Sequence, residues 1–192
     1  MTLNQQTFVS EFQALARRVV ETQTFYHLQC KSGYDGAADI LNGPIDDVLY
    51  ELWGLGKILI TTGEAPPPGS VENTCINLAS YAVDCLCKCR AGLQKSEAVD
   101  TMVGLVIAKN HDYAGEKDPL LNLRMCEQAG IPAWVGISSV RIADKFSRIR
   151  NFFDTNTVKV KTESVEDTLV DLANYAILCA IAYKDSQGSF GP

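Results

Sequence analysis

The sequence predicts an all-α protein, a helical bundle built from two related halves. Three observations carry that expectation. Apolar residues recur at helical spacing through most of the chain, as in Phe8, Phe12, Leu15 and Val19. The breaks between these runs are rich in proline and glycine, most clearly TTGEAPPPGS at 61–70. Residues 70–85, SVENTCINLASYAVDC, match residues 164–179, SVEDTLVDLANYAILC, at nine of sixteen positions without a gap. Two unrelated amphipathic helices would agree at generic apolar sites. These share a Ser-Val-Glu-x-Thr start and an Ala-x-Tyr-Ala centre, as duplicated helical units do when they pack about a pseudo-twofold axis.

The elements follow in order. A first helix is expected over residues 4–30, then a Gly- and Asp-containing loop, KSGYDGAADILNG. Pro44 suits the first turn of a helix running to about residue 61. Ser70 suits the cap of the next, to about residue 91. Further helices are expected at 95–109, at 119–129 as a short one, at 137–153 and at 164–184, with VKVK at 158–161 as the only extended stretch. The halves divide as 1–94, a degenerate first half, and 95–192, with both forming one compact domain.

Composition narrows the function. The chain has 192 residues, 46% hydrophobic and 21% charged, with a net charge of −6. That charge argues against direct nucleic-acid binding, which needs a basic surface, but leaves room for a small anion in a local basic pocket. No apolar run reaches 18 residues, so no membrane span is expected, and the first residues lack a signal-peptide pattern. A cytoplasmic protein is the expectation. The seven cysteines are odd in number, sit in apolar helical runs and suit buried thiols; Cys85, Cys87 and Cys89 alternate faces and lack CxxC spacing for zinc.

The chemistry is expected in the second half. Glu163, Asp167, Asp171 and Asn174 fall within an arc of roughly 80° on the last helix. Beyond them the stripe turns apolar at Leu178 and Ile181, so it points into a covered space. Several carboxylates without His or Cys nearby suit Mg²⁺ or Mn²⁺. Ser164 and Asp167 can instead form a capping box. The repeat pairs Asp167 with Asn73, Asp171 with Asn77, and Asn174 with Ser80, so the first half lacks both aspartates. Asp47, Glu51 and Glu72 are a further acidic group, a second cluster or a solvated face.

Arg141, Lys145 and Arg148 make a basic stripe on the preceding helix, beside Asp144. Cations beside an acidic helix suit phosphate held together with a divalent metal, or else a salt-bridge network between helices. Lys109, Asp112 and Tyr113 in KNHDYAG are placed to reach a ligand at the bundle mouth. Trp134 is either a stacking platform for a base or core.

The ordered strings KNHDYAG, RIADKFSRI and ESVEDTLVDLANYAIL resemble the phage-associated family called nucleotide modification associated domain 1, over about residues 100–183. The acidic helices are also similar, more distantly, to the all-α nucleoside triphosphate pyrophosphatases of the MazG and dimeric dUTPase group. That second resemblance implies a helical bundle, Mg²⁺ and cleavage between α and β phosphates, with Asp167 and Asp171 on the second acidic helix and Asp144 on the one before it. The paired E-x-x-E and E-x-x-D motifs of that group are incomplete here.

The leading expectation is therefore a Mg²⁺-dependent (deoxy)nucleoside triphosphate pyrophosphohydrolase or related enzyme, phage-encoded and homodimeric. In it Glu163, Asp167 and Asp171 are catalytic, Asp144 joins them as metal ligands, and Lys109, Asp112, Tyr113, Arg141, Lys145, Arg148 and Asn174 bind nucleotide. The alternative is a non-catalytic protein that sequesters a nucleotide signal. A third reading is a helical module with no small ligand.

Overall fold

The computed structural model describes residues 3–22, 33–114, 118–155 and 164–188. Every regular element among them is helical. Helix α1 spans Gln5–Glu21, capped by the Asn4 side chain, which accepts from the Thr7 N–H at 2.9 Å. Its Phe8, Phe12, Leu15, Ala16 and Val19 are buried along one stripe. The described part of this helix ends at Glu21, short of the expected residue 30, and the remainder of that expectation lies outside the described residues.

Helix α2 runs Tyr34–Ile40, passes through a π-turn at Leu41–Ile45, and continues as Asp46–Thr62 to a left-handed Gly63. Pro44 thus sits inside the helix and does not open it. A proline lacks the N–H and crowds the carbonyl of the previous turn; the wider π-turn accommodates both. Helix α3 spans Ser70–Cys89. Its N-cap position is Gly69 at φ 76°, where a side chain would be strained, and Ser70 is the first helical residue, its hydroxyl donating to Pro67 O at 2.7 Å.

Helix α4 spans Lys95–Ala114. A 3₁₀ segment at Met125–Ala129 replaces most of the short α-helix expected there. Helix α5 runs Ala133–Gly136, a π-turn at Ile137–Ile142, and Ala143–Thr155. Helix α6 spans Val165–Ser186. The VKVK stretch lies outside the described residues.

α3 and α6, the two helices matched in sequence, form the most extensive helix pair. Both carry buried small residues: Cys75, Ala79 and Ala82 on one, Ala173, Ala176 and Ala180 on the other. α2 packs on α3, α5 packs on α6, and α1 and α4 each touch both members of the central pair. One continuous apolar core runs through both halves.

Matched positions make matching bonds. The buried Cys85 thiol donates to Ala37 O at 3.4 Å, and Cys179, its partner in the repeat, donates to Trp134 O at 3.3 Å. In each half the acceptor lies just ahead of a π-turn. Trp134 is core and not a surface platform: it is buried and meets Tyr183 edge-on at 5.7 Å. No helix among the described residues is long and apolar enough to cross a membrane.

Candidate functional site: a cleft between α4 and α6

The polar stripe of α6 changes character along its length. At the helix start Ser164 and Asp167 form a capping box: the Asp167 N–H donates to Ser164 Oγ at 3.0 Å, and Ser164 N–H donates to Asp167 Oδ2 at 3.0 Å. The Ser164 N–H and the Ser164 hydroxyl, which donates to Asp167 Oδ2 at 2.9 Å, hold the Asp167 carboxyl below the usual aspartate range, with Lys109 and Arg148 adding to the effect. Glu166, one residue earlier, accepts from the Tyr34 hydroxyl at 3.0 Å.

One turn on, Asp171 lies between two ammonium groups. Lys109 of α4 reaches Oδ1 at 3.3 Å and Lys145 of α5 reaches Oδ2 at 3.1 Å. The two lysines, 36 residues apart in sequence, come from different helices and meet on a carboxylate that is 23% exposed. Further along, Asn174 is buried.

Asp171 and Asn174 line a cleft with a cavity of about 80 Å³. Phe8, Val106, Leu123 and Leu178 supply its apolar walls, and Lys109 lies on its lining with Asp171. The turn at 118–123 closes one side. It is held by Arg124, which meets Asp118 at 2.6 Å and Asp185 near the end of α6 at 2.5 Å. Asn110 donates to Gln5 Oε1 at 3.0 Å, joining the end of α4 to the start of α1.

In the first half the matched polar positions on α3 have partners within the chain. Ser80, matched to Asn174, donates to Val19 O at 3.2 Å. Asp84, matched to Leu178, is buried and faces Lys95 Nζ at 3.3 Å. Lys95 also donates to Thr22 O at 2.9 Å. Asp84 has no polar counterpart in the second half, where the matched Leu178 lies on the lining of the cleft.

Of the residues expected to act together, the fold gathers Lys109, Lys145, Asp171 and Asn174. Arg148 lies close enough to influence Asp167. Arg141 is exposed and falls in the π-turn, whose extra residue rotates it relative to Lys145, so the stripe of three basic residues is broken there. Glu163 lies outside the described residues, as do the side chains of Asp112 and Tyr113.

The expected metal ligands are not assembled among the described residues. No three His, Cys, Asp or Glu side chains converge there. Asp144 is exposed, Asp167 serves the helix cap, and Asp171 is neutralised by two lysines. A divalent cation would meet ammonium groups where it needs oxygens, so these residues do not fit a resident Mg²⁺. Of the acidic group Asp47, Glu51 and Glu72, Glu72 pairs with Arg18 and Lys184, and Glu51 accepts from Thr74 at 3.1 Å.

The cysteine cluster is equally unsuited to metal or redox work. Burial, then the Asp84 charge, pushes the Cys87 thiol up to about 11. Burial and Glu166 push Cys89 up to about 12.

Residues 132–183 match the nucleotide modification associated domain 1 family. The matched segment begins at Pro132, ahead of α5, and ends at Tyr183 near the close of α6. It therefore includes Lys145, Asp171 and Asn174, whereas Lys109 and the α1 wall of the cleft lie outside it. No curated protein and no solved structure matches the chain.

Phe8, Val106, Leu123 and Tyr175 were not anticipated at this site. For the first three no local signal exists, since an apolar residue facing a cleft reads like one facing the core. Tyr175 did carry a signal: it recurs as Tyr81 in the repeat, in the centre of the matched motif.

Proposed function

We propose that the chain binds a free nucleotide across the α4–α6 cleft, with phosphate at Lys109 and Lys145. One observation carries this reading: two lysines from separate helices converge at the mouth of an apolar-walled cleft in a chain of net charge −6. A phosphate oxygen offers those ammonium groups what Asp171 now offers them, with more charge. The negative surface elsewhere disfavours a polymer and favours a small anion. The match to a family named for nucleotide modification supports the same ligand class.

Hydrolysis with Mg²⁺ or Mn²⁺ is the second reading. What favours it is that Asp167 and Asp171 stand one turn apart beside the lysine pair. It requires both carboxylates to leave their present partners.

The test is a calorimetric titration and a turnover assay on one panel: nucleoside mono- and triphosphates, their deoxy forms and pyrophosphate, each with and without Mg²⁺. Binding without turnover, weakened about tenfold or more by Lys109→Ala or Lys145→Ala, supports the first reading. Turnover abolished in Asp171→Asn supports the second. No binding of any member of the panel overturns both.

A further inference from the structure

The cleft holds a polar group that the described residues leave without a partner. Asn174 is only 5% exposed, it lines the cleft, and its Oδ1 is buried with no hydrogen-bond partner among the described residues. Stranding such an acceptor away from water is costly. Packing does not demand it, because the matched position in the first half carries Ser80, whose hydroxyl is satisfied by Val19 O.

Size and surroundings limit what could satisfy it. A single water needs roughly 10–15 Å³ of such space. The cavity of about 80 Å³ therefore admits a group of several heavy atoms, the size of one ring, but not a whole nucleotide. Phe8, Val106, Leu123 and Leu178 offer the apolar faces against which a flat ring packs, and Asn110, Asn122 and Tyr175 add polar groups to the lining. Asp171 and Asn174 are three residues apart on one face of α6, so a ligand with its ring at Asn174 carries its phosphate outward to the lysines.

We propose that Asn174 determines specificity by accepting an N–H from the edge of a nucleobase inserted into this cleft. This rests on the nucleotide-binding reading above and adds the part of the ligand that is read. Asparagine is well suited to the task, since its amide offers a donor beside the acceptor and can pair with two atoms of a base edge.

The experiment titrates wild type, Asn174→Ser and Asn174→Ala with the nucleoside monophosphates, ribose 5-phosphate and pyrophosphate. The serine variant copies the first half, and neither substitution adds bulk to the core. Expected is a wild type that binds at least one nucleoside monophosphate tenfold or more tighter than ribose 5-phosphate. Both variants should lose that preference and keep pyrophosphate affinity within about twofold. A preserved base preference in both variants overturns the inference and leaves nucleotide binding standing. Ribose 5-phosphate binding that equals nucleotide binding and falls in the variants also overturns it, by assigning Asn174 to a sugar hydroxyl. A wild type that binds neither nucleotide nor pyrophosphate overturns the nucleotide reading and this inference together.

Discussion

Lys95 places its ammonium 3.3 Å from the buried Asp84 carboxylate, at the point of the first half where the second half has Leu178 and an open cleft. Asp84 is 1% exposed. Taking away its cation while the carboxylate stays buried is costly, so Lys95→Ala should lose about 3 kcal/mol of stability. Replacing both partners is different. Lys95→Met with Asp84→Leu, which copies Leu178, should recover most of that loss, because a well-packed apolar pair substitutes for a buried ion pair at little net cost. Urea unfolding of the two single variants and the double variant measures this. A double variant as unstable as Lys95→Ala would refute the account of this region.

Asp171 competes with the ligand in the proposed reading. Asp171→Asn removes one negative charge from between Lys109 and Lys145, and pyrophosphate affinity should rise severalfold, most clearly at low salt. Stability should fall by no more than about 1 kcal/mol, since the pairs are partly solvated. Weaker pyrophosphate binding in this variant would show that the carboxylate assists the anion, as a metal-bridged site requires.

The cap of α6 predicts a dependence on pH. Hydrogen bonds from Ser164 lower the Asp167 pKa in the folded protein, so the unfolded chain takes up a proton first as pH falls. The contribution is present in full above the ordinary aspartate pKa of about 4 and is lost as pH drops through the lowered folded value. Ser164→Ala and Asp167→Ala should each cost about 1 kcal/mol at pH 7. For Asp167→Ala the difference from wild type should vanish in acid. Thermal melts at pH 7 and pH 3 distinguish this from a loss that does not titrate.

Gly136 has a steric role. A Cβ there would overlap Cys126 Sγ and lie 3.2 Å from Cys126 Cβ. Gly136→Ala should therefore cost about 1–3 kcal/mol by overpacking. Adding Cys126→Ala should restore a large part of it, because the sulfur is the atom in the way. Additive losses in the double variant would place the cause in the backbone.

The helices were legible because their apolar periodicity is strong, and the end of α6 fell within two residues of the expectation. The π-turns were not. Each shifts one turn of hydrogen bonding without changing which residues are apolar, and Pro44 looked like a helix start because no pattern marks a wide turn around it. At the site, the face shared by Asp171 and Asn174 was readable from spacing alone. The fate of Asp171 was not, since its neutralising lysines arrive from two other helices. The cap at Asp167 was visible as one of two options, and the structure has Ser164 using the carboxylate for the cap. The first-half counterpart was legible in principle: placing Asp84 opposite Leu178 needs only the repeat, but Lys95, which meets Asp84, lies beyond it.

The π-turn in α5 makes that helix a dial. Along an α-helix one residue is worth about 100° of rotation. Within Ile137–Ile142 the extra residue is absorbed as a bulge, with Val140 left 61% exposed on the surface. Deleting Val140 would shorten the chain by one residue and, if the bulge relaxed into regular helix, leave Lys145 on its present bearing toward Asp171. Deleting a residue between Ala143 and Lys145 would instead swing that ammonium by more than a quarter of a turn. Length variation is thus cheap at one address and ruinous four residues later, and the slack in the helix sits just upstream of the lysine whose aim matters.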